Sequence, residues 1–464
     1  MTKQPVAAFL AALFLVLCAA PSQAADEPKS KWVTSWAGSV QGPYPVGNPS
    51  AQPDMKLAIP SAEAGARDQS FRMILKPELW GREARLRFSN ALGAKPVTFA
   101  DVHIGLQQAS SALIAGTNQP VSFRGRKSVT VKPGESVWSD AVRLPFARNP
   151  KSGTLAGRKV AVSFHVPGES GPMTWHAKAL QTSYLTAPGA GSKSADEGEA
   201  AFPFSTASWF FLDALDMRAP AASQAIVAFG DSITDGTLST LNGDDRWPDV
   251  LARRLRAAYG NRVSVVNAGI GGNQVAGPKE YSLQKPFPGG PSALARLERD
   301  VLTLSGVSHV IWLEGINDFS KNGNATVEAV QAAMQEGVAR IRARLPRAKV
   351  IGATLTPALG STNASHGTPE QDEKRKQLNS FIRSSGVFDA AIDFDRVASD
   401  PATGQLKPEF VHNTTTGGEG DKLHPNRLGY VAMGMSIDIE QFKPPAAKPA
   451  SKPVAKPAAK TVKP

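Results

Sequence analysis

The sequence predicts two folded units of different class, a β-rich unit of antiparallel strands followed by an α/β unit with a parallel sheet. At 464 residues the chain is longer than a single typical domain. From about residue 31 to residue 215 apolar and polar residues alternate with a period of two, and after residue 224 short apolar runs alternate with helical patterns. We therefore place an antiparallel β-sandwich-like domain at 25–218 and an α/β domain at 224–443.

The first 24 residues have the pattern of a secretory signal peptide. Lys3 precedes an apolar run over 6–20, and Ser-Gln-Ala at 22–24 provides small residues where signal peptidase requires them. The run is too short to anchor the chain in a membrane, so we expect export to the periplasm or beyond, with a buried helix as the alternative. The only cysteine, Cys18, falls in this segment. The exported protein should therefore contain no disulfide, thiol nucleophile or Cys-ligated metal.

The C-terminal segment 444–464 is predicted to be an extended, disordered tail. It repeats Lys, Pro and Ala and offers no large apolar face to bury. Its lysines, with Lys443 and Lys3, account for most of the net charge of +12 and leave about +5 for the body. Two roles for this tail stay open: a solvated spacer without a partner, and a segment that contacts anionic polymer or lipid headgroups. No interleaving of arginine and aromatic residues predicts nucleic-acid binding, and no later run is apolar enough for a transmembrane segment.

Within the β-rich unit, three stretches show the alternation most clearly. They are ARLRFSN (84–90), DVHIGL (101–106) and KVAVSFHV (159–166). Such alternation, with turns rich in Gly, Pro and Ser between the runs, predicts strands with one face in a core and the other at the solvent. His103 and His165 fall on the polar face and are predicted at the surface or at a sheet edge. Segment 187–203 is predicted to be an exposed loop.

Aromatic residues are concentrated in the β-rich unit. Six of the eight tryptophans precede residue 210. These tryptophans either fill the core of a sandwich or form a platform on which sugar rings stack. His176, in the stretch GPMTWHAK, is assigned a structural role, and a loop that faces an active site is the alternative.

After residue 224, five apolar runs are each followed by a helical pattern. The runs are AIVAFG, VSVVNAG, SHVIWLEG, KVIGATL and DAAIDF. Runs of this length separated by helices predict a five-stranded parallel sheet that is covered on both faces. Ligands bind at the carboxyl ends of the strands in such sheets. The residues at the ends of these runs are therefore the candidates for a site.

Four polar segments lie at this predicted edge. They are GDSITDG after the first run, NAGIGGN at the end of the second, EGIND after the third and GDKLHPN before the last helix. The Ser232 hydroxyl is a good nucleophile only if a base takes its proton, and His424 is a base of the required kind. Asp421, three residues before His424, can accept from the other ring nitrogen and fix the tautomer. The segments therefore predict a nucleophilic serine site.

The same segments offer donors for an oxyanion. A tetrahedral intermediate requires N–H groups aimed at its charged oxygen. The backbone N–H groups of Ser232 and Gly272 and the side-chain amide of Asn317 are predicted to supply them. Glycine at position 272 lets the backbone approach a substrate closely.

Other chemistries fit these segments less well. A dinucleotide loop fails because Gln274 stands where G-x-G-x-x-G requires its third glycine. A metal at His424 lacks a second histidine at ligand spacing, so neither a metal nor an organic cofactor is predicted. Asp231 and Asp318 are interpreted as braces of their loops rather than as acids.

The four segments, in this order, resemble the conserved blocks of the GDSL, or SGNH, hydrolase superfamily. FGDSITDG resembles the nucleophile block with Ser232, NAGIGGN the second block with Gly272, EGINDF the third with Asn317, and DKLHPN the last, with its aspartate and histidine. The resemblance covers about 224–442 and extends to a bacterial exported subgroup with a β-rich region before the hydrolase domain. It implies a flavodoxin-like three-layer fold and hydrolysis of carboxylic esters through an acyl-serine.

The predicted function is that of an exported serine esterase that acts on small acyl esters. O-acetyl groups on a polysaccharide are the preferred substrate class. A lipolytic esterase or lysophospholipase is the alternative within enzymes. A non-catalytic carbohydrate-binding protein with a vestigial hydrolase domain is the alternative of another class, and no oligomeric state is predicted.

Overall fold

A computed structural model describes residues 30–150, 153–416 and 418–446 of the chain. The predicted signal peptide at 1–24 lies outside the described residues, as does 447–464, which is nearly all of the predicted tail. Within the described ranges, no helix combines the length and the apolar character that a membrane crossing needs.

Strands build the described part of the chain up to residue 220. They are β1 (Ser30–Ala37), β2 (Gln41–Pro43), β3 (Arg67–Leu75), β4 (Glu83–Ser89), β5 (Val97–Ala109), β6 (Ala112–Leu113), β7 (Gln119–Pro120), β8 (Ser128–Val131), β9 (Ser136–Trp138), β10 (Val142–Arg143), β11 (Val160–Glu169), β12 (Thr174–His176), β13 (Ser183–Leu185), β14 (Phe204–Thr206), β15 (Trp209–Phe210) and β16 (Leu212–Pro220). One sheet has the order β1-β16-β4-β10, with β9 beside β4. A second has the order β14-β13-β3-β11-β5-β6, with β7 and β8 beside β5, and a third has the order β15-β12-β2.

The two larger sheets, both antiparallel, pack against each other through aromatic side chains. The ring of Phe88 in β4 lies 4.8 Å from that of Phe99 in β5 and 5.2 Å from that of Phe164 in β11, measured between centroids. All three rings are fully buried, and rings of this size dominate the energetics of a core. Trp80 and Trp175 are buried in the same core, which favours core filling over a sugar platform for these two residues.

Strand β11 is buried on both faces, contrary to the alternation expected from the sequence. The prediction of His165 at the surface is wrong, because the residue is 8 % exposed and its Nε2 lies 2.8 Å from Oδ1 of Asp68. Segment 187–203, predicted as an exposed loop, covers part of the outer face of this sheet. Its Phe202 ring stacks on the guanidinium of Arg72, 4.0 Å from the ring centroid. The second covered face explains why polar residues of β11 are buried.

The C-terminal part contains a five-stranded parallel sheet. Its elements are β17 (Gln224–Gly230), α1 (Ser232–Asp235), α2 (Trp247–Tyr259), β18 (Val263–Gly269), α3 (Ala293–Leu297), β19 (Val307–Leu313), α4 (Val327–Arg344), β20 (Lys349–Ala353), α5 (Pro369–Ser384), β21 (Ala390–Ile392), α6 (Phe394–Ala398) and α7 (Arg427–Ser436). The strand order is β18-β17-β19-β20-β21, and the strands coincide with the five apolar runs of the sequence. The order reverses beside β17, and the ligand crevice of an open α/β sheet lies at such a point.

A tight turn joins the two parts, where the stretch MRAPAASQ suggested a linker. Residues 217–220 belong to β16 and pair with β1, so that only residues 221–223 separate β16 from β17. The parts also touch directly, because the backbone N–H of Ser305 donates to Oγ1 of Thr34 at 2.8 Å. The β-rich part is therefore positioned against the parallel sheet.

Candidate active site

Ser232 lies just beyond the carboxyl end of β17, at the first residue of α1. Asp231 caps this short helix, and its Oδ1 accepts a hydrogen bond from the backbone N–H of Ile233 at 3.0 Å. Gly236 ends the helix with a φ of +99°, which is a conformation that favours glycine. The turn therefore holds the Ser232 hydroxyl at the strand edge, where the residue is 6 % exposed.

Three of the predicted site residues form a continuous hydrogen-bonded relay. Nδ1 of His424 lies 2.6 Å from Oδ2 of Asp421, and Nε2 of His424 lies 2.8 Å from Oγ of Ser232. Because a carboxylate can only accept, we assign the ring proton to Nδ1, which leaves Nε2 to accept from the serine hydroxyl. In this arrangement the imidazole is able to remove the hydroxyl proton.

The loop before α7 fixes Asp421 and His424 relative to each other. Oδ1 of Asp421 accepts hydrogen bonds from the backbone N–H groups of Leu423, at 3.0 Å, and His424, at 2.9 Å. Burial by itself raises the pKa of Asp421, but the facing His424 ring and these hydrogen bonds hold that pKa well below its ordinary value. The carboxylate is therefore ionised at neutral pH.

The three predicted oxyanion donors also lie at this edge. The backbone N–H groups of Ser232 and Gly272 have no hydrogen-bond partner among the described residues. The side-chain amide of Asn317 donates to the carbonyl of Asn273 at 2.9 Å. This bond fixes the amide and leaves its second N–H for a ligand.

Asp318 supports the loop opposite Asn317. Its Oδ2 accepts from the backbone N–H of Val275 at 2.7 Å, and its Oδ1 accepts from that of Ala276 at 2.9 Å. Burial raises the pKa of Asp318 to about 6, although these hydrogen bonds oppose the rise. The contacts agree with the interpretation of Asp318 as a brace.

Arg296 connects the nucleophile strand to the loop after β18, and sequence reasoning missed it. Its Nε donates to Oδ1 of Asn273 at 2.6 Å, and its Nη2 donates to the carbonyl of Gly230 at 2.8 Å. Its Nη1 donates to Oδ2 of Asp300 at 3.0 Å. Within the helical stretch PSALARLERD, no local signal separates this buried arginine from an exposed one.

Glu314 lies buried beneath the site without a hydrogen-bond partner in the described structure for either carboxyl oxygen. Nη2 of Arg296 is 3.6 Å from its Oε2. Burial raises the pKa of Glu314 to about 8, with Arg296 opposing the rise and the Asp231 charge adding to it. Burial also raises the pKa of Asp231 to about 7. The Glu314 carboxyl is therefore mostly protonated at neutral pH.

Replacing this carboxyl by Glu314→Gln should make the stability of the protein less sensitive to rising pH. The folded protein keeps the proton up to about pH 8, whereas the unfolded chain loses it near the ordinary glutamate pKa of 4.5. Folded stability is therefore lost as pH rises between these values. Since glutamine cannot ionise, the Tm of the variant should fall less than that of the wild type between about pH 5 and about pH 8.5 in thermal unfolding. Equal falls would contradict this, and the exposed Glu336→Gln is the matched control.

His366 had no assigned role in the sequence prediction, and the structure brings it near the relay. Burial and the positive charge that His424 can carry lower the pKa of His366 to about 4. With Ile316 and Ala358 it lines a small cavity whose empty volume, including its mouth, is about 210 Å³. Because Ile316 directly precedes Asn317, the cavity adjoins the loop that carries the amide donor.

The β-rich part reaches the site through β12 and the residues that follow it. Nδ1 of His176 donates to the carbonyl of Ser39 at 2.6 Å, and its Nε2 lies 3.2 Å from Oδ1 of Asp235 in α1. Although burial opposes it, the Asp235 carboxylate raises the pKa of His176. Nζ of Lys178 donates to Oγ1 of Thr237 at 2.5 Å. His176 thus has structural contacts, one with Ser39 of the β-rich part and one with Asp235 of the nucleophile turn.

The sequence was compared with protein families and with curated proteins. Residues 228–432 match the model of the GDSL-like lipase/acylhydrolase family, and the matched range contains all five predicted site residues. No curated protein matches the chain.

Solved structures resemble about half of the chain. Est24, a carbohydrate acetylesterase from Sinorhizobium meliloti, is 14 % identical and covers 48 % of this chain and 100 % of its own, with a TM-score of 0.37. The aryl esterase of M. smegmatis is 18 % identical and covers 47 % of this chain and 98 % of its own, with a TM-score of 0.37. The lipase/acylhydrolase from Enterococcus faecalis is 24 % identical and covers 48 % of this chain and 100 % of its own, with a TM-score of 0.37.

A parallel sheet covered by helices, with a serine–histidine–aspartate relay at its carboxyl edge, defines a hydrolase of the α/β class. Through residues 228–432 the chain belongs to the GDSL, or SGNH, superfamily, and the protein is a carboxylic ester hydrolase.

Proposed function

We propose that the protein is an exported serine esterase that works through an acyl-serine, with Ser232 as nucleophile, His424 as base and Asp421 as the group that orients the base. The observation that carries the proposal is the relay, with 2.8 Å between Oγ and Nε2 and 2.6 Å between Nδ1 and Oδ2. A hydroxyl is a weak nucleophile alone, so contact with an imidazole of fixed tautomer is what the reaction requires.

In the first half of the reaction, Oγ of Ser232 attacks the ester carbonyl carbon while Nε2 of His424 takes the hydroxyl proton. The bond to the alcohol oxygen then breaks, and His424 returns the proton to the leaving alkoxide. In the second half, His424 removes a proton from water, which attacks the acyl carbon. The bond from that carbon to Oγ then breaks, His424 returns the proton to Oγ of Ser232, and the carboxylic acid leaves. Asp421 stabilises the imidazolium in both halves.

The negative charge of each tetrahedral intermediate is stabilised by the N–H groups of Ser232, Gly272 and Asn317. Donors that are already fixed need no reorganisation when the charge develops, which makes them effective. The bond from the Asn317 amide to the Asn273 carbonyl supports this role, because it fixes the amide plane.

Short acyl groups, such as O-acetyl groups on a polysaccharide, are the substrates that we propose. The loops around Ser232 are rich in glycine and asparagine, which suits a hydrated sugar alcohol better than a lipid. The N-terminal sequence pattern supports export of the protein.

The proposal is tested by a fluorophosphonate probe and a panel of aryl esters of increasing acyl length, both on the full-length protein. We expect the probe to label Ser232, with the Ser232→Ala variant unlabelled. The value of kcat/KM should be highest for the acetyl ester and should fall steadily towards long acyl chains. Release of acetate from an acetylated polysaccharide should accompany this preference.

Two outcomes would overturn parts of the proposal. Absence of labelling together with absence of turnover would favour the non-catalytic carbohydrate-binding alternative. A rate that rises with acyl length would keep the serine mechanism and replace the substrate class by the lipolytic alternative.

A further inference from the structure

The loop that carries Gly272 is a tight turn over residues 270–273. The backbone N–H of Asn273 donates to the carbonyl of Ile270 at 3.1 Å, and Gly272 has a φ of +85°. These are the features of a type II turn, whose third residue has φ near +80° and is usually glycine. The N–H of Gly272 therefore belongs to the central peptide group of the turn, between Gly271 and Gly272.

This central peptide is the group that points in opposite directions in type I and type II turns. Glycine at both central positions leaves either orientation accessible, because no side chain opposes a flip. A flip would turn the N–H of Gly272 away from an oxyanion. A donor built on this peptide must therefore be held in place by contacts outside the turn.

A residue of the β-rich part makes such a contact. Nδ2 of Asn48 donates to the carbonyl of Gly271 at 2.8 Å. The carbonyl of Gly271 and the N–H of Gly272 belong to one planar trans peptide, so they point in opposite directions. Asn48 thus holds the carbonyl on one side and leaves the N–H directed to the other.

The loop that carries Asn48 is itself anchored on the strand β12. Nε1 of Trp175 donates to the carbonyl of Val46 at 3.0 Å, and the backbone N–H of Tyr44 donates to the carbonyl of Met173 at 2.8 Å. Trp175 is fully buried. The loop that carries the Asn48 amide is therefore held by hydrogen bonds to well-packed residues.

The peptide on the other side of Gly271 is held from the same strand. The backbone N–H of Gly271 donates to Oδ2 of Asp235 at 2.9 Å, and Oδ1 of Asp235 faces Nε2 of His176 at 3.2 Å. His176 is the last residue of β12. Gly271 is thus fixed at its carbonyl and at its N–H by contacts that depend on the β-rich part.

We propose that Asn48 is a positioning residue for ester hydrolysis, which selects the orientation of the Gly271–Gly272 peptide and so aims the Gly272 N–H at the oxyanion. This inference rests on the proposed function, in which Gly272 is an oxyanion donor. It gives the β-rich part a role in turnover of small soluble esters as well as in any recognition of a polymer.

The test compares kcat and KM of the full-length wild type, Asn48→Ala and Asn48→Asp on an aryl acetate. Both variants lack the amide donor, and the aspartate keeps the shape while its carboxylate repels the Gly271 carbonyl. We expect kcat to fall about 10-fold to 100-fold with little change in KM, because the donor serves the transition state. This loss is smaller than the roughly 10²–10³ expected for Asn317→Ala, which removes a donor outright.

A matched control separates positioning from attachment of the two parts. Asn261 makes two hydrogen bonds to Trp80 of the β-rich part, at 2.7 and 2.8 Å, and neither involves the turn. Asn261→Ala should lower Tm and leave kcat unchanged. Wild-type kcat in both Asn48 variants, or an equal loss of kcat in Asn261→Ala, would overturn the inference. Full activity of Ser232→Ala would instead overturn the proposed function, so the two failures are distinguishable.

Discussion

Ser232→Ala should abolish ester hydrolysis and leave the fold intact. The change removes the only atom that attacks the carbonyl, and loss of the nucleophile in a serine mechanism costs about 10⁴–10⁶ in kcat. Folding should change by no more than about 1 kcal/mol, because the hydroxyl makes a single side-chain hydrogen bond, to His424. The measurements are kcat on an aryl acetate and Tm for wild type and variant.

Ser239→Ala is the matched control for this experiment. Ser239 lies seven positions after Ser232, is 1 % exposed, and its Oγ has no hydrogen-bond partner among the described residues. Removal of a buried hydroxyl in the same loop should therefore leave turnover unchanged. If Ser232→Ala hydrolysed the ester near the wild-type rate, the assignment of Ser232 as the nucleophile would be wrong, whatever the result for the control.

The parallel sheet could be predicted because its signals are local. Each of its five strands is a short apolar run followed by a helical pattern, and each run coincides with an observed strand. The relay could also be predicted, because parallel strands place their carboxyl ends at one edge and so bring distant segments together. Ser232 and His424 are 192 residues apart in sequence, yet their side chains touch.

Residues that act only through tertiary contacts could not be predicted. Asn48 stands in a stretch rich in glycine and proline that resembles any surface turn, and its partner Gly271 is 223 positions away. Arg296 looks like a solvent-exposed helix residue, and only the tertiary fold buries it between the nucleophile strand and the loop after β18. No spacing or period encodes such contacts.

The error at His165 has a related physical cause. The alternation of apolar and polar residues in β11 predicts a solvent-exposed face, and this prediction holds only if no other segment covers that face. Segment 187–203 returns over the sheet, where Oγ of Ser70, the residue of β3 opposite His165, donates to the carbonyl of Gly191 at 2.9 Å. His165 itself contacts Asp68, whose side chain is half-exposed. Most of this segment is an exposed or partly exposed loop, as predicted, but Ser194 and Phe202 are buried.

His424→Ala should reduce turnover nearly as much as Ser232→Ala, because the serine then has no base. The ring is hydrogen-bonded on both nitrogens, at 2.6 Å to Asp421 and at 2.8 Å to Ser232, so its removal leaves the serine hydroxyl without this contact. Asp421→Asn should cost less, since it leaves the base in place but weakens the hold on its tautomer and the stabilisation of the imidazolium. We therefore expect kcat to rank wild type, Asp421→Asn, His424→Ala and Ser232→Ala in descending order, with the last two close together.

His412→Ala is the control, because this histidine lies twelve positions earlier and its side chain is 61 % exposed. It should retain wild-type kcat. His424→Gln keeps most of the side-chain volume and should be as inactive as His424→Ala, which separates loss of the base from damage to packing. Added imidazole should partly restore turnover to His424→Ala, because the vacated space faces the serine hydroxyl, and should not restore it to Ser232→Ala. If His424→Ala kept most of the activity, the serine–histidine mechanism would be withdrawn even with Ser232 essential.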